Sequence, residues 1–471
     1  MWGFELRRDI EIPLKRQIYL EIKEQIVAGK LRAGEALPST RQLAEELKVS
    51  RNTVNEAFDM LLAEGFVVSR QGSPTRIADG AAVHTEKKEM PRQREHQGVS
   101  FLVDFRTGQP DLRSFPKYLW QQISIKASRE MPDDMLGYTG PQGLPSLRYE
   151  ISSWLYRSKG LVVDPLDIFI TAGATHALSV IAHLLYQPEQ AIIVEDPTNI
   201  EMLQSFVNKG YDVKRVPVDE CGLITDKLPS NSGPVYVTPS HQFPLGGILP
   251  ADRRAALIRF ARGHGSYIVE DDYDSEFRYD GDPVSPLYAM DPDRVIYIGT
   301  FSKVLFPALR IGYVILPHCL QEQWRYLRTH TDVQNPPFEQ AALAEFLRTR
   351  KFDRHIRNMR KLYRERRQAL MTALKRSFGD RWRPWGDAAG LHLAIEFEDM
   401  RFDPSFKDKC RSNRIRITPV EYHAIAKGFH ANKLLFGYGH MKPQQIEEGV
   451  AALKAFLLAQ GYMPSARQVP L

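Results

Sequence analysis

Cysteine is scarce in this chain of 471 residues: Cys221, Cys319 and Cys410 stand apart, with no CxxC pair and no histidine at ligand spacing. A disulfide framework is thereby excluded and a structural zinc site is not expected, which fits a reducing cytoplasm. Long hydrophobic runs are also missing. No stretch of 18 or more apolar residues occurs, so no transmembrane helix and no membrane partner are expected. Residues 1–8 carry charges where a signal peptide needs its apolar run. Charge of one sign is lacking too: 63 Lys/Arg against 57 Asp/Glu leave +6, which permits contact with a polyanion without requiring it. No internal repeat is evident. The remaining composition, 43% hydrophobic and 25% charged, is that of a globular protein, long enough for two or three domains.

The first 78 residues read as a small helical head. Leu14, Ile18, Ile22 and Ile26 recur at helical spacing, and Gly29 is a stop. Ser39 or Thr40 caps a short helix with Leu43, Ala44 and Leu47 inside; Lys48-Val49-Ser50 turns, and Ser50 caps a second helix over 51–64. Its first turn presents Arg51, Asn52, Thr53 and Asn55, residue types suited to base edges and phosphates. Residues 66–77 look like two short strands around a turn, a wing carrying Arg70 and Gln71. The head holds 12 basic against 11 acidic residues, so charge placement must carry any affinity for DNA. Leu37-Pro38-Ser39-Thr40-Arg41-Gln42-Leu43-Ala44, with Val49-Ser50-Arg51-Asn52-Thr53-Val54, resembles the winged helix of the GntR type. That resemblance implies double-stranded promoter DNA as partner, the second helix in the major groove, and contacts from Arg41, Ser50, Arg51, Asn52, Thr53, Asn55, Arg70 and Gln71. Residues 79–100, charged, polar and balanced, read as a flexible connector.

From residue 101 to 465 strands and helices alternate, which predicts an α/β domain with a mostly parallel sheet. The β-branched runs 191–194, 235–237, 267–269 and 295–298 read as buried strands, with chemistry gathered at their carboxyl ends. Ala172-Gly173-Ala174-Thr175-His176 opens a helix and suits a phosphate. Glu270-Asp271-Asp272-Tyr273-Asp274 crowds carboxylates that need a cation among them, either a protonated ring nitrogen or Mg²⁺. Thr300, Ser302 and Arg310 suit a second side of the phosphate, and Lys303 is placed to form a Schiff base. Any one of these alone is most simply a solvated loop residue. Their order at successive strand ends argues for a site.

Residues 104–457, including Gly137-Tyr138-Thr139-Gly140 and Ser240-His241-Gln242-Phe243-Pro244, resemble the fold-type-I aminotransferases that bind pyridoxal 5′-phosphate (PLP). With the head, nearly the whole chain resembles the MocR family, GntR-type regulators with an aminotransferase-like body. By that resemblance Lys303 is the Schiff-base lysine, Asp271 the partner of the ring nitrogen and Tyr273 that of the phenolic oxygen. Ala174, Thr175, His176, Thr300, Ser302 and Arg310 hold the phosphate, Tyr138 reaches the partner subunit's phosphate, and the protein forms a head-to-tail homodimer.

Two departures from that pattern matter. Asn199 and Glu201 stand where amino-acid-sensing members carry a stacking Tyr and an Arg, and His440 stands where an Arg is kept for a substrate carboxylate. Glu201 repels a carboxylate and His440 is only a conditional cation. PLP should therefore dock while amino acids bind poorly, which suits the pyridoxine-biosynthesis (PdxR-type) regulators of the family, cytoplasmic proteins that sense the cofactor. The alternatives are an active aminotransferase with a DNA-binding domain, a regulator sensing an amino acid through PLP, and a plain repressor with an inert body. Finally, residues 348–376 hold 12 Lys/Arg against Asp353 and Glu365, either a solvated helix face or a second surface for DNA.

Overall fold

The computed structural model describes residues 6–70, 72–81, 100–230, 233–279, 284–386 and 389–463. The chain divides into two compact units, Met1–Gly98 and Val99–Leu471. Gln71, almost all of the expected connector and the last residues of the expected body lie outside the described residues.

In the first unit α1 (Leu14–Val27), α2 (Thr40–Leu47) and α3 (Arg51–Ala63) precede a two-stranded antiparallel wing, β1 (Val67–Val68) and β2 (Arg76–Ile77). Both predicted caps form: Ser39 accepts from the Gln42 N–H at 3.2 Å and Ser50 from the Thr53 N–H at 3.1 Å. Ile18, Ile22 and Ile26 of α1 close on Leu43 of α2 and on Val54, Phe58 and Leu61 of α3. That apolar stripe leaves the first turn of α3 outward, with Arg51 and Asn52 exposed and Thr53 and Asn55 half-buried.

The second unit is built on an eight-stranded sheet. Its strands in chain order are β4 (Ile168–Thr171), β5 (Ala191–Asp196), β6 (Asp212–Asp219), β7 (Gly222–Leu223), β8 (Val235–Val237), β9 (Ile268–Asp272), β10 (Val295–Thr300) and β11 (Gly312–Ile315). In space they run β4-β11-β10-β9-β8-β5-β6-β7, parallel from β10 through β9, β8 and β5 to β6, with β11 reversed. A short strand β3 (Val103–Asp104) precedes this sheet in sequence and pairs in parallel with β14 (Ile415–Arg416). A second, antiparallel sheet holds β12 (Trp382–Trp385), β13 (His392–Phe397), β15 (Thr418–Pro419) and β16 (Lys433–Gly437).

The strands extend beyond their apolar runs. β9 continues through Asp272, so Glu270, Asp271 and Asp272 lie in the strand, and only Tyr273 and Asp274 follow it. The alternation of a strand then sends Asp271 to one face and Glu270 and Asp272 to the other. The expectation that these carboxylates share one cation is thereby corrected. Glu270 accepts from the Leu287 and Tyr288 N–H groups, each at 2.8 Å, and burial pushes its carboxyl up to about 7. Asp272 accepts from Tyr297 Oη at 2.6 Å and from Lys159.

The basic run is one helix, Lys351–Phe378, preceded by the last residues of another. Its charges do not form one class. Arg366 is buried against Asp111, and Arg360 and Arg364 donate to the backbone oxygens of Glu276 and Tyr279, just beyond the acidic segment. Lys351, Arg354, Arg357 and Lys361 remain at the surface with no ion pair among the described residues.

Phe58, buried between α1 and α3, tests whether the head holds a core of its own. Phe58→Ala should cost about 3–5 kcal/mol, seen in calorimetry as a lowered head transition with the body transition unmoved.

Candidate functional site

The carboxyl ends of β4, β8, β9 and β10 frame a cavity of about 660 Å³, a volume suited to a cofactor with a small ligand. Ala174, Thr175, Asp271, Tyr273, Thr300, Ser302, Lys303 and Arg310 line it together. These are eight of the residues predicted from sequence, drawn from segments up to 136 positions apart.

One side of the cavity suits a phosphate. Gly173, at φ +89°, lets the chain turn from β4 into the helix Ala174–Leu184, whose N-terminal N–H groups face the cavity side. A Cβ at Gly173 would lie 3.0 Å from the Arg310 guanidinium, so glycine is required for that approach. Arg310, itself at φ +50°, donates to Ala172 O and brings a fixed cation to the turn. The Ser302 N–H donates to Thr300 Oγ1 at 3.2 Å, shaping the second wall. His176 departs from the expectation. Its Nδ1 accepts from the Ala172 N–H at 3.0 Å and its Nε2 lies 3.4 Å from Asp332. It braces the turn from behind and does not line the cavity.

Lys303 follows β10 and is held by a 2.9 Å hydrogen bond from Nζ to Gly108 O. Burial pushes its pKa down, opposed by the nearby Asp274 and Asp271. Such a lysine releases a nucleophilic amine closer to neutral pH than a solvated one. Asp271 accepts from Tyr236 Oη at 2.8 Å through Oδ2, and its Oδ1 is buried with no hydrogen-bond partner. Burial pushes this carboxyl up to about 6, with Tyr236 pulling the other way. A buried carboxylate oxygen without a donor fits a protonated ring nitrogen, which would supply both proton and counter-charge.

The other face of β9 keeps Asp271 usable. Lys159, with its side chain 5% exposed, contacts Asp272, Ser275 Oγ at 2.7 Å, Tyr297 Oη at 3.0 Å and Glu276 at 3.2 Å. Desolvation opposes its charge, but Asp272 and Glu276 outweigh it and raise its pKa. Asp272 is thus neutralised by its own cation, and its charge adds less to the field on Asp271.

The predicted effector residues separate. Asn199 lines the cavity, yet its Oδ1 caps the helix Ile200–Val207, accepting from the Glu201 and Met202 N–H groups at 3.2 and 3.3 Å. Glu201 lines the cavity from that helix. His440 does not. It lines a different hollow with Phe101, Asp104 and Arg113, where burial lowers its pKa and neither ring nitrogen has a hydrogen-bond partner. Tyr138 is 91% exposed and does not line the cavity. Conversely, Tyr236, Phe243, His423 and a rim of Arg106, Lys407, Arg411 and Arg416 line the cavity without having been singled out. Arg416 arrives through the pairing of β14 with β3, across 312 positions of sequence, and spacing gives no sign of it.

The comparisons with known proteins match this division. Residues 14–77 match the model of bacterial regulatory proteins of the gntR family, and residues 102–453 that of aminotransferase class I and II. Over 99% of its length the chain is 31% identical to 97% of the probable rhizopine catabolism regulatory protein MocR of Rhizobium meliloti. The chain belongs to the MocR family. Another relative of this MocR-family chain is the HTH-type pyridoxine biosynthesis transcriptional regulator PdxR of Corynebacterium glutamicum, 36% identical over 90% of this chain and 91% of that one. Among solved structures, an archaeal alanine:glyoxylate aminotransferase aligns at TM-score 0.71 and 25% identity, over 78% of this chain and 92% of that one. The alpha-aminoadipate aminotransferase LysN of Thermus thermophilus, complexed with N-(5′-phosphopyridoxyl)-L-leucine, aligns at 0.69 and 25%, over 76% and 92%. The cofactor indicated is PLP, and the donor set fits it: Arg310 and the turn at Gly173 for the phosphate, Asp271 for the ring nitrogen, Lys303 for the aldehyde. Among the described residues no helix is long and apolar enough to cross a membrane.

Removing the cation behind β9 has a defined cost. Lys159→Met leaves Asp272 and Glu276 buried without it, and should destabilise the body by about 3–5 kcal/mol, read from urea unfolding of the full chain.

Proposed function

We propose that this chain is a transcriptional regulator that binds promoter DNA through its winged helix and senses PLP in its aminotransferase-like body. One observation carries the reading: a single cavity joins a buried, partner-seeking Asp271 oxygen, a desolvated Lys303 and an Arg310 phosphate wall. Bound there, PLP supplies an aldehyde that condenses with a primary amine. The chain's own residues hold its phosphate, match the charge of its ring and offer Lys303 Nζ as that amine. In the head, Arg41, Arg51, Asn52, Thr53 and Asn55 stand on the exposed side of α2 and α3 as the DNA contacts, with Ser50 fixing the first turn and Arg70 on the wing. The exposed Tyr138 suits a role at a partner's cavity in a head-to-tail dimer. A link to vitamin B6 synthesis rests on the likeness to the pyridoxine-biosynthesis regulator. The protein acts in the cytoplasm, at the nucleoid when bound to DNA.

A second reading is favoured by a specific feature. The rim cations Arg106, Lys407, Arg411 and Arg416 give an anionic amine a place to bind despite Glu201. Of these, Arg106 and Arg416 are paired with Asp104, while the Arg411 side chain has no hydrogen bond or ion pair among the described residues. On this reading the effector is an amino acid that meets PLP in the cavity. Turnover as an aminotransferase is a further alternative, for which Lys303 is chemically competent.

Titration of promoter DNA occupancy with PLP alone separates these readings. A change in footprint without added amine, lost in Lys303→Ala together with the yellow band of the bound cofactor, is the expected result. A footprint that responds only when an amino acid is added would replace it with the second reading. A protein that stays colourless with PLP would sink both.

A further inference from the structure

His241, Asp274 and Tyr273 form a buried chain at the cavity wall. His241 Nδ1 lies 2.8 Å from Asp274 Oδ1 and 2.9 Å from Tyr273 Oη, so one nitrogen faces two oxygens. It cannot donate to the carboxylate and also accept the tyrosine proton. An ionised Asp274 accepts only, which places the proton on Nδ1. The far side of the ring agrees: Nε2 is buried with no hydrogen-bond partner. A lone pair stranded there costs less than a stranded N–H.

With Nδ1 protonated, Tyr273 Oη is at most a second acceptor of the same N–H, and its own proton has to point elsewhere. Tyr273 and Asp274 line the cavity while His241 sits behind them. The remaining surroundings do not compete for the proton. His392, 5.3 Å away ring to ring, engages Pro244 O through Nε2 at 3.1 Å, and burial pulls its pKa down to about 4, so it is neutral. Asp271 and Glu195 also bear on Tyr273, and burial with these carboxylates holds its hydroxyl far above the ordinary range, so it keeps its proton. The arrangement is tightly built. A Cβ at Gly390 would collide with His241 Cε1 and lie 2.7 Å from Asp274 Oδ2.

We propose that Asp274 and His241 are positioning residues that lock the histidine tautomer and thereby make Tyr273 a one-way hydrogen-bond donor into the cavity, toward an anionic oxygen on the cofactor ring. This rests on the PLP reading and adds to it a direction for the Tyr273 proton. A donor on that oxygen favours the deprotonated form of the lysine-bound cofactor, because there the oxygen carries its charge unshared. His241→Asn removes the lock while keeping the Asp274 charge: the amide can turn its oxygen toward Tyr273, which is then free to donate there instead of into the cavity.

The test is the absorbance of PLP bound to the full-length protein, followed against pH in wild type, Tyr273→Phe, His241→Asn and the double variant, all of which keep the Asp274 charge that acts on Lys303. Each single change should raise the midpoint by about one pH unit, the scale of one hydrogen bond to an ionised group. The double variant should go no further than Tyr273→Phe, because both changes delete the same bond. Only protein that shows the band is read, which excludes misfolded variants, and His241→Gln supplies the same comparison with a second amide. Shifts that add, or a midpoint unmoved in both His241→Asn and His241→Gln while Tyr273→Phe shifts, would overturn the proposal. No band in wild type would overturn the PLP reading and this proposal with it.

Discussion

The body is organised around one costly constraint: a carboxylate, Asp271, buried in the middle of a parallel sheet edge with one oxygen left unpartnered. Burying a charge is tolerable only when a partner arrives, and here the protein provides half of one in Tyr236. The neighbouring acids are settled separately, Glu270 by two backbone N–H groups and Asp272 by Lys159 and Tyr297. What remains at the cavity is the unpartnered Asp271 oxygen, facing an amine and a phosphate wall. That arrangement fits a cationic ring carrying an aldehyde and a phosphate.

Much of this was legible in the sequence, for a physical reason. Strand ends in a parallel sheet converge, so residues at successive ends meet whatever their separation, and Thr175, Asp271, Tyr273, Thr300, Lys303 and Arg310 do meet. Caps and turns are local codes, and Ser39 and Ser50 cap as their positions imply. Where the reading failed, the cause was side-chain direction or a nonlocal pairing. His176 sits one residue past Thr175, yet the helix turns it away from the cavity, toward Asp332. His440 lies beyond β16 and reaches a different hollow, while β14 delivers Arg416 to the cavity rim. The acidic residues look like one group only if the strand stops at Val269; β9 runs on to Asp272 and its alternation divides them.

The basic helix shows the same mixture. A count of 12 cations over 348–376 suggested a single surface, but three of them work internally. Arg360 and Arg364 tie down the backbone just beyond Asp274, and Arg366 anchors Asp111. The surface cations Lys351, Arg354, Arg357 and Lys361 are the subset left for any polyanion. Charge density in sequence therefore overstates what is available outside.

The account stands on Asp271 as the counter-charge of the bound ring. Its most direct test is the PLP dissociation constant of Asp271→Asn beside wild type, measured by absorbance on the intact protein. Loss of a charge-assisted bond worth about 1.5–3 kcal/mol predicts binding weaker by roughly ten- to a hundredfold. Equal affinity in the two proteins would contradict it.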